Sequence, residues 1–256
     1  ASGEACLLIH IDMLHEAPLC MGIAHDAASA VTRTRSDGSV GEYRNAYWAF
    51  DGGNAQLVRF DFGMDHGPGS MDHSVASVRR YSDLRLHRVE GVPAGMAVAT
   101  AQRLMYVADP GADRLLVVHI DTGEYDRDAR EEFPISSSAA ASFNYSIWRG
   151  LEWSVLGTVP MPSGVALGAT VVYVASAVDA RVYAFDLLTG TRLQAAALPG
   201  VSALAGLALD AVGGLWVVDG GARRVGRVQA TAGCPGSAPP ADEACHGREG
   251  GASWSA

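Results

Sequence analysis

The sequence predicts an all-β fold, a β-propeller of four blades, and three observations support this. A short apolar strand that contains Gly recurs four times along the chain. Each copy is followed by a second strand that is almost wholly apolar, and then by a turn and a third strand with alternating residues. Small repeated units bury their apolar faces only against one another, so this pattern indicates a repeat fold.

The repeat has three strands in every copy and a fourth in the first three. The first strands occupy residues 20–26, 92–98, 161–167 and 204–210. The second strands occupy 47–51, 105–109, 172–176 and 215–219, and the third strands 56–62, 114–121, 181–186 and 223–229. Outer fourth strands are expected at 75–81, 152–158 and 192–198. The Gly in each first strand predicts a close approach of neighbouring backbones.

The number of blades and the closure of the ring depend on segments outside the repeat. Excursions at residues 27–45 and 125–150 leave room for further strands, so five or six blades are the alternative to four. The last copy lacks a fourth strand, and an open sheet edge is unfavourable. We therefore expect residues 6–12 to complete it, which gives one propeller over residues 1–232. Residues 233–256 are expected to form a disulfide-tethered tail with a linker-like end.

The second copy carries a motif that is specific for a fold. Residues 104–121 read LMYVADPGADRLLVVHID, and Gly123 follows two positions later. This run resembles the repeats of NHL-repeat and SMP-30/gluconolactonase-like β-propellers, and the resemblance extends over residues 19–232. It implies the propeller fold, commonly with six blades, and a calcium-dependent lactonase as the first candidate activity.

The inner turns differ from those of the enzymes in these families. The lactonases hold calcium with Glu, Asn and Asp, with the Asn in a Pro-Asn-Gly turn, and the related amidating lyase carries a ring of His in the same turns. Here the turns read Pro93-Ala94-Gly95 and Pro162-Ser163-Gly164. The Asn and His that these enzymes use are absent from both turns, which counts against both activities.

Composition narrows the range of partners. The formal net charge is −9, which gives no electrostatic basis for binding nucleic acid. The longest apolar run, at residues 171–178, has the length of a strand, so no membrane span is expected. The expected partner is a protein or a small-molecule ligand that binds on a propeller face.

Four cysteines lie in the terminal parts of the chain. An even number at these places predicts two disulfides and an extracellular or secretory location. Placing residues 6–12 beside the last repeat favours Cys6–Cys234 and leaves Cys20–Cys245. The alternative pairing, Cys6–Cys20 with Cys234–Cys245, stays open. The triplet that begins at Asn144 is an acceptor pattern for N-glycosylation, which is typical of the same compartment.

A loop after the third strand of the first copy contains Met-Asp-His twice, seven residues apart. Imidazole and carboxylate groups together suit zinc, iron or copper. The predicted metal ligands are Asp65, His66, Asp72 and His73. The alternative is a polar loop whose His residues hydrogen-bond to its own backbone.

A second candidate site follows from the ends of the second strands, which share one propeller face. Carboxylates at equivalent positions around a channel mouth suit calcium, which prefers oxygen ligands. The predicted residues are His15, Glu16, Asp51, Asp109 and Asp219. The alternative is that each Asp accepts hydrogen bonds from the backbone of its own turn.

Two functions agree with these features. The first is a secreted or cell-surface NHL-like binding module that carries a metal ion. The second is a metal-dependent enzyme on the same scaffold, either hydrolase- or lactonase-like or a mononuclear-metal oxidoreductase. The sequence contains no nucleophile elbow, phosphate-binding Gly loop or Cys-x-x-Cys motif, so no catalytic residue is assigned.

Overall fold

A computed structural model describes residues 16–34, 37–64, 76–129, 144–230 and 252–255. The named elements of this part of the chain are twenty β-strands and one 3-10 turn, Pro110–Ala112, so the fold is all-β. The first ten strands are β1 (Cys20–His25), β2 (Val31–Thr34), β3 (Val40–Tyr43), β4 (Ala46–Asp51), β5 (Gln56–Asp61), β6 (Ser77–Tyr81), β7 (Met96–Ala99), β8 (Leu104–Asp109), β9 (Arg114–His119) and β10 (Glu124–Asp128). The others are β11 (Asn144–Arg149), β12 (Trp153–Thr158), β13 (Pro162–Leu167), β14 (Val171–Ser176), β15 (Arg181–Asp186), β16 (Arg192–Ala197), β17 (Leu204–Leu209), β18 (Leu215–Asp219), β19 (Arg224–Ala230) and β20 (Ala252–Ser255).

The chain divides into two compact units. Unit 1 comprises Ala1–Arg85 and Thr122–Leu151, and unit 2 comprises Leu86–Asp121 and Glu152–Ala256.

Unit 2 contains three four-stranded antiparallel sheets, in the orders β12-β9-β8-β7, β13-β14-β15-β16 and β17-β18-β19-β20. In each sheet the strands pair with their neighbours along the repeat, so each sheet is a meander with the form of a propeller blade. The strands of the second, third and fourth copies of the repeat are confirmed, including the outer strands predicted at 152–158 and 192–198.

The first strands of neighbouring sheets in unit 2 approach each other at their backbones. The Gly95 amide donates a hydrogen bond of 2.5 Å to the Ser163 carbonyl oxygen. A Cβ atom at Gly164 would lie 2.6 Å from the Leu207 amide nitrogen, which is closer than real Cβ contacts. The close approach predicted from the repeated Gly is therefore confirmed at these two positions.

Apolar faces of successive sheets share buried clusters in unit 2. Tyr106 of the first sheet lies in one cluster with Val174 of the second. Ala175, on the opposite face of that second sheet, lies in another cluster with Val217 of the third. The second strand β14 is therefore covered on both sides, each by a different neighbouring sheet, which explains why it is apolar throughout.

Unit 1 contains a six-stranded sheet in the order β1-β4-β5-β6-β11-β10. Its first four strands form the antiparallel meander predicted for the first copy of the repeat. Both excursions of the sequence contain strands. The first forms the β2–β3 hairpin, and the second forms the β10–β11 hairpin, whose strand β11 pairs in parallel with β6. The described residues thus form four meanders, one for each copy, while the number of blades in a ring stays a prediction.

The outer strand of the last sheet differs from the one predicted. The expectation was that residues 6–12, which lie outside the described part of the chain, would pair with the third strand of the last copy. In the structure β20 occupies that edge, antiparallel to β19, with Arg227 opposite Ser255. This corrects the expected closure and the interpretation of residues 252–255 as linker. An open strand edge accepts any extended segment, so the repeat alone did not specify which terminus would fill it.

No helix among the described residues has the length and apolar character needed to cross a membrane.

Candidate functional site

The residues of the Met-Asp-His loop, Asp65, His66, Asp72 and His73, lie outside the described residues, as does His15. The strands on either side of the loop are described. Asp61 ends β5, Ser77 begins β6, and the two residues pair across the antiparallel ladder. The connection therefore leaves and re-enters the sheet at one pair of opposed residues.

Asp51 ends β4 with its side chain fully buried. Its carboxylate accepts hydrogen bonds from the Gly53 amide at 2.9 Å and from the Asn54 amide at 3.3 Å. The Asn54 side chain donates a third at 2.6 Å. A buried guanidinium completes the surroundings, because Nη1 of Arg80 lies 2.7 Å from the same carboxylate. Asp51 therefore caps its own turn and also forms a buried ion pair.

Arg80 brings Asp51 and Glu16 to one place in unit 1. Its side chain is 1% exposed, and it also donates to the backbone carbonyl oxygen of Glu16. The Nε group donates to the Tyr145 hydroxyl oxygen at 3.0 Å, and Nη1 lies 3.3 Å from Oε1 of Gln56. Burial raises the pKa of Tyr145, and the nearby guanidinium partly opposes that effect. Arg80 thus neutralises the carboxylate of Asp51 and holds the main chain of Glu16 beside it.

Asp109 has an equivalent arrangement in unit 2. Its buried carboxylate accepts hydrogen bonds from the His87 amide and, at 2.8 Å, from Nε of Arg114. The His87 ring lies 3.3 Å from it. The turn from β8 to β9 therefore also balances a buried carboxylate with an arginine.

Asp219 accepts hydrogen bonds from five donors. They are the amide and hydroxyl of Ser202, the amides of Ala203 and Ala222, and Nε of Arg224. Burial opposes ionisation, but the hydrogen bonds from Ser202, Ala222 and Ala203 outweigh it and hold the pKa of Asp219 well below its usual value.

In three of the four copies an arginine follows the last residue of the second strand by five positions. Arg114 follows Asp109, Arg224 follows Asp219, and Arg181 follows Ser176 at this interval. The first copy has Gln56 in the arginine position, and Arg80 from β6 supplies the guanidinium instead. Sequence reasoning missed these pairs, although the Asp-to-Arg interval of five is visible in two of the four copies.

The described residues contain no group of three or more His, Cys, Asp and Glu side chains that could hold a metal ion. Both metal sites stay predictions.

A cavity of about 420 Å³ lies in unit 1. Its lining residues are Val31, Arg33, Asp61, Ala76, Ser77, Arg79 and Asn144. They lie on β2, on or next to β5 and β6, and on β11, so both excursions contribute to the cavity. The sequence analysis did not identify this cavity because its residues are far apart in the chain and share no motif.

Arg79 and Arg59 occupy opposite positions on β6 and β5 beside this cavity. The Arg79 guanidinium lies 4.1 Å from the centre of the Trp148 ring. Nη2 of Arg59 donates to the Asp61 carboxylate at 3.1 Å and to the Ser29 hydroxyl at 2.6 Å. The negative charge of Asp61 is thereby matched by Arg59.

Two further residues with a predicted role, Cys20 in a disulfide and Asn144 in glycosylation, lie in the described part of the chain. Cys20 is an exposed free cysteine in the structure, and its predicted partner Cys245 lies outside the described residues together with Cys6 and Cys234. Desolvation raises the pKa of the Cys20 thiol, a hydrogen bond with the Gly22 backbone opposes this, and the Asp51 charge adds to it. Asn144 is exposed at the start of β11. The disulfide pairing and the glycosylation stay predictions.

No protein-family model and no curated protein matches the chain. Among solved structures, the chain is similar to hydrazine synthase of Kuenenia stuttgartiensis, with 11% identity over 89% of this chain and 47% of that one, at a TM-score of 0.47. It is also similar to a chain of a nidogen/laminin complex, with 13% identity over 82% and 75% and a TM-score of 0.45. A third is XC5397 from Xanthomonas campestris, described as a gluconolactonase, with 15% identity over 78% and 69% and a TM-score of 0.41. This chain thus spans about half the length of the hydrazine synthase chain, and similarities at this level carry no conclusion about activity.

Proposed function

We propose that this protein is an NHL-like β-propeller binding module that carries a metal ion in the loop between β5 and β6. The observation that carries the proposal is the pairing of Asp61 with Ser77, which fixes both ends of that loop at one place in the sheet. The resemblance of residues 104–121 to the NHL and SMP-30 repeats supports the family assignment.

The chain length of the loop supports a shared ion. His66 follows Asp61 by five positions, and His73 precedes Ser77 by four. At about 3.3–3.6 Å per extended residue, each imidazole stays within roughly 20 Å of the same strand ends. The Pro and Gly residues between the two copies favour a chain reversal. The loop can therefore bring both Asp-His pairs to one ion.

The loop is preferred to the strand-end carboxylates as the metal site. Asp51, Asp109 and Asp219 each have an arginine within 3.4 Å, which provides the opposite charge that a calcium ion would otherwise supply. The loop also offers imidazole nitrogen, so zinc, iron or copper is the proposed class of metal.

Metal content tests this function. Protein purified without added metal is expected to retain about one transition-metal ion per chain, measured by mass spectrometry of the elements. The double variant H66A/H73A is expected to lose the ion, whereas H119A, with an exposed His on β9, is expected to keep it. A wild-type protein without metal, or a double variant that keeps it, contradicts the proposal. If spectroscopy detects an exchangeable water bound to the ion, the metal has an open coordination position. That result would favour the metal-dependent enzyme over the binding module.

The proposed location is the secretory pathway or the cell exterior. Four cysteines near the termini and the acceptor pattern at Asn144 support it. The proposed partner is a protein or small molecule that binds on a propeller face.

A further inference from the structure

We propose that the cavity of unit 1 binds a small oxyanion, a molecule with a carboxylate or phosphate group, and that Arg33 and Arg79 hold it. Asp61 and Ser77, which line this cavity, are also the ends of the proposed metal-binding loop, but the argument for the anion uses no metal ion. The function proposed above names no ligand, whereas this proposal names a cavity, two binding residues and a class of ligand.

The balance of charge around the cavity carries the proposal. Arg59 and Arg79 lie directly opposite each other on neighbouring strands, an arrangement that is unfavourable for like charges. Asp61 is already matched to Arg59. Among the described residues, neither Arg33 nor Arg79 forms an ion pair with a carboxylate. Positive charge therefore accumulates at this cavity in a chain whose formal net charge is −9.

Arg79 is oriented before any ligand arrives. Its guanidinium lies over the Trp148 ring, and the indole Nε1 group donates a 2.9 Å hydrogen bond to the Ser146 hydroxyl. That bond fixes the plane of the ring, and stacking on it fixes the plane of the guanidinium. The N–H groups at the edge of a stacked guanidinium stay available to an anion, so less entropy is lost on binding.

The two excursions complete the cavity. Arg33 comes from the β2–β3 hairpin, and Asn144 begins the strand that is added beside β6. The second excursion is inserted between β9 and β12 of the second copy, but its strands are added to the sheet of unit 1 and not to the sheets of unit 2. The sheet that receives the added strands is therefore the sheet beside the cavity, as expected when insertions on a scaffold build a binding site.

The lining selects the class of ligand. A cavity of about 420 Å³ has the size of a small-molecule site. Guanidinium groups bind carboxylate and phosphate oxygens through two parallel hydrogen bonds. The Ser77 hydroxyl adds a neutral polar group, which suits a ligand with a further hydroxyl or carbonyl oxygen.

Titration calorimetry with succinate and with inorganic phosphate, at constant ionic strength set by sodium chloride, tests the proposal. Binding of at least one of them is expected. R33A and R79A are each expected to weaken binding by about tenfold to a hundredfold, the effect of losing one charge-assisted hydrogen-bonding group. R79K is expected to bind more weakly than wild type because lysine keeps the charge but loses the planar fork.

R192A is the matched control because Arg192 is exposed on β16 in unit 2, and it is expected to bind as the wild type does. A preference for succinate identifies a carboxylate ligand, and a preference for phosphate identifies a phosphate ligand. R33A tests the site without disturbing the sheet because the residue lies in an exposed hairpin, and circular dichroism checks R79A for folding. The proposal is overturned if the wild-type protein binds neither anion, or if a folded R33A binds both as tightly as the wild type.

Discussion

Asp219 lies at the end of β18 with its side chain fully buried, and Arg224 approaches it from the start of the next strand. A buried carboxylate of this kind is stable only when its charge is matched and its oxygens accept hydrogen bonds. The donors from Ser202, Ala203 and Ala222 meet the second requirement. The repeat can thus keep an acidic residue at a tightly packed turn.

Removal of this carboxylate is expected to destabilise the protein. D219A leaves several backbone N–H groups without an acceptor, and we expect a loss of about 2–3 kcal/mol in the free energy of unfolding. D219S is the matched variant, since the third copy carries Ser176 at the same place, where its hydroxyl donates to the Pro160 carbonyl oxygen. A smaller loss is expected for D219S. Urea unfolding measures both, and equal stabilities of D219A and wild type would contradict the structural role.

The same carboxylate gives stability a dependence on pH. The pKa of Asp219 is lowered in the folded protein, so its contribution is present above the ordinary pKa of Asp, about 3.9. It is lost as the pH falls below that value towards the lowered folded pKa. The wild-type protein is therefore expected to lose stability more steeply than D219A on acidification below about pH 4. Parallel acid profiles in urea would exclude this contribution.

At the scale of the element, local patterns predicted the strands and missed their non-local pairing. Runs such as β8 and β14 are apolar and β-branched or aromatic, and tight turns bound them, so their positions followed from the sequence. The pairing of β11 with β6 joins segments that are more than sixty residues apart. No local pattern encodes such a pair, so the excursion was expected only to have room for strands.

At Gly164 the packing of one strand against the next leaves no room for a side chain. A Cβ atom there would lie 2.6 Å from the Leu207 amide nitrogen and 2.7 Å from the Gly206 carbonyl carbon. Because backbone atoms cannot move aside as flexible side chains do, G164A is expected to destabilise the protein by about 1–3 kcal/mol. G168A is the control, since its Cβ would make only ordinary contacts of 3.4 Å or more. Thermal and urea unfolding compare the two, and equal effects would refute the close approach.

At the scale of the whole molecule, the repeat specifies the sheets but does not specify how the chain termini are used. The predicted strand at residues 6–12 and the observed strand β20 compete for the same kind of open edge. Likewise the cavity residues Arg33, Arg79 and Asn144 come from three separate elements. Their proximity is a consequence of tertiary structure, and only the repeated Met-Asp-His loop nearby has a signal in the sequence.

The cysteines give a test of the protein as a whole. Protein made in a secretory host is expected to show no free thiol when denatured without reductant, and peptide mapping distinguishes Cys6–Cys234 with Cys20–Cys245 from Cys6–Cys20 with Cys234–Cys245. Because β20 lies at the edge where residues 6–12 were expected, that placement no longer favours the first pairing. Reduction is expected to lower the unfolding temperature. Four free thiols contradict the secretory location.

The position of Arg80 has a consequence for how this chain can diverge. The first copy has Gln56 where the other copies have an arginine at the interval of five, and an arginine on a different strand neutralises Asp51. An arginine at position 56 in the presence of Arg80 would place two guanidinium groups on one buried carboxylate. Replacement of Arg80 without an arginine at position 56 would leave the carboxylate uncompensated. The two positions are therefore epistatic, and related sequences are expected to change them together or to keep both.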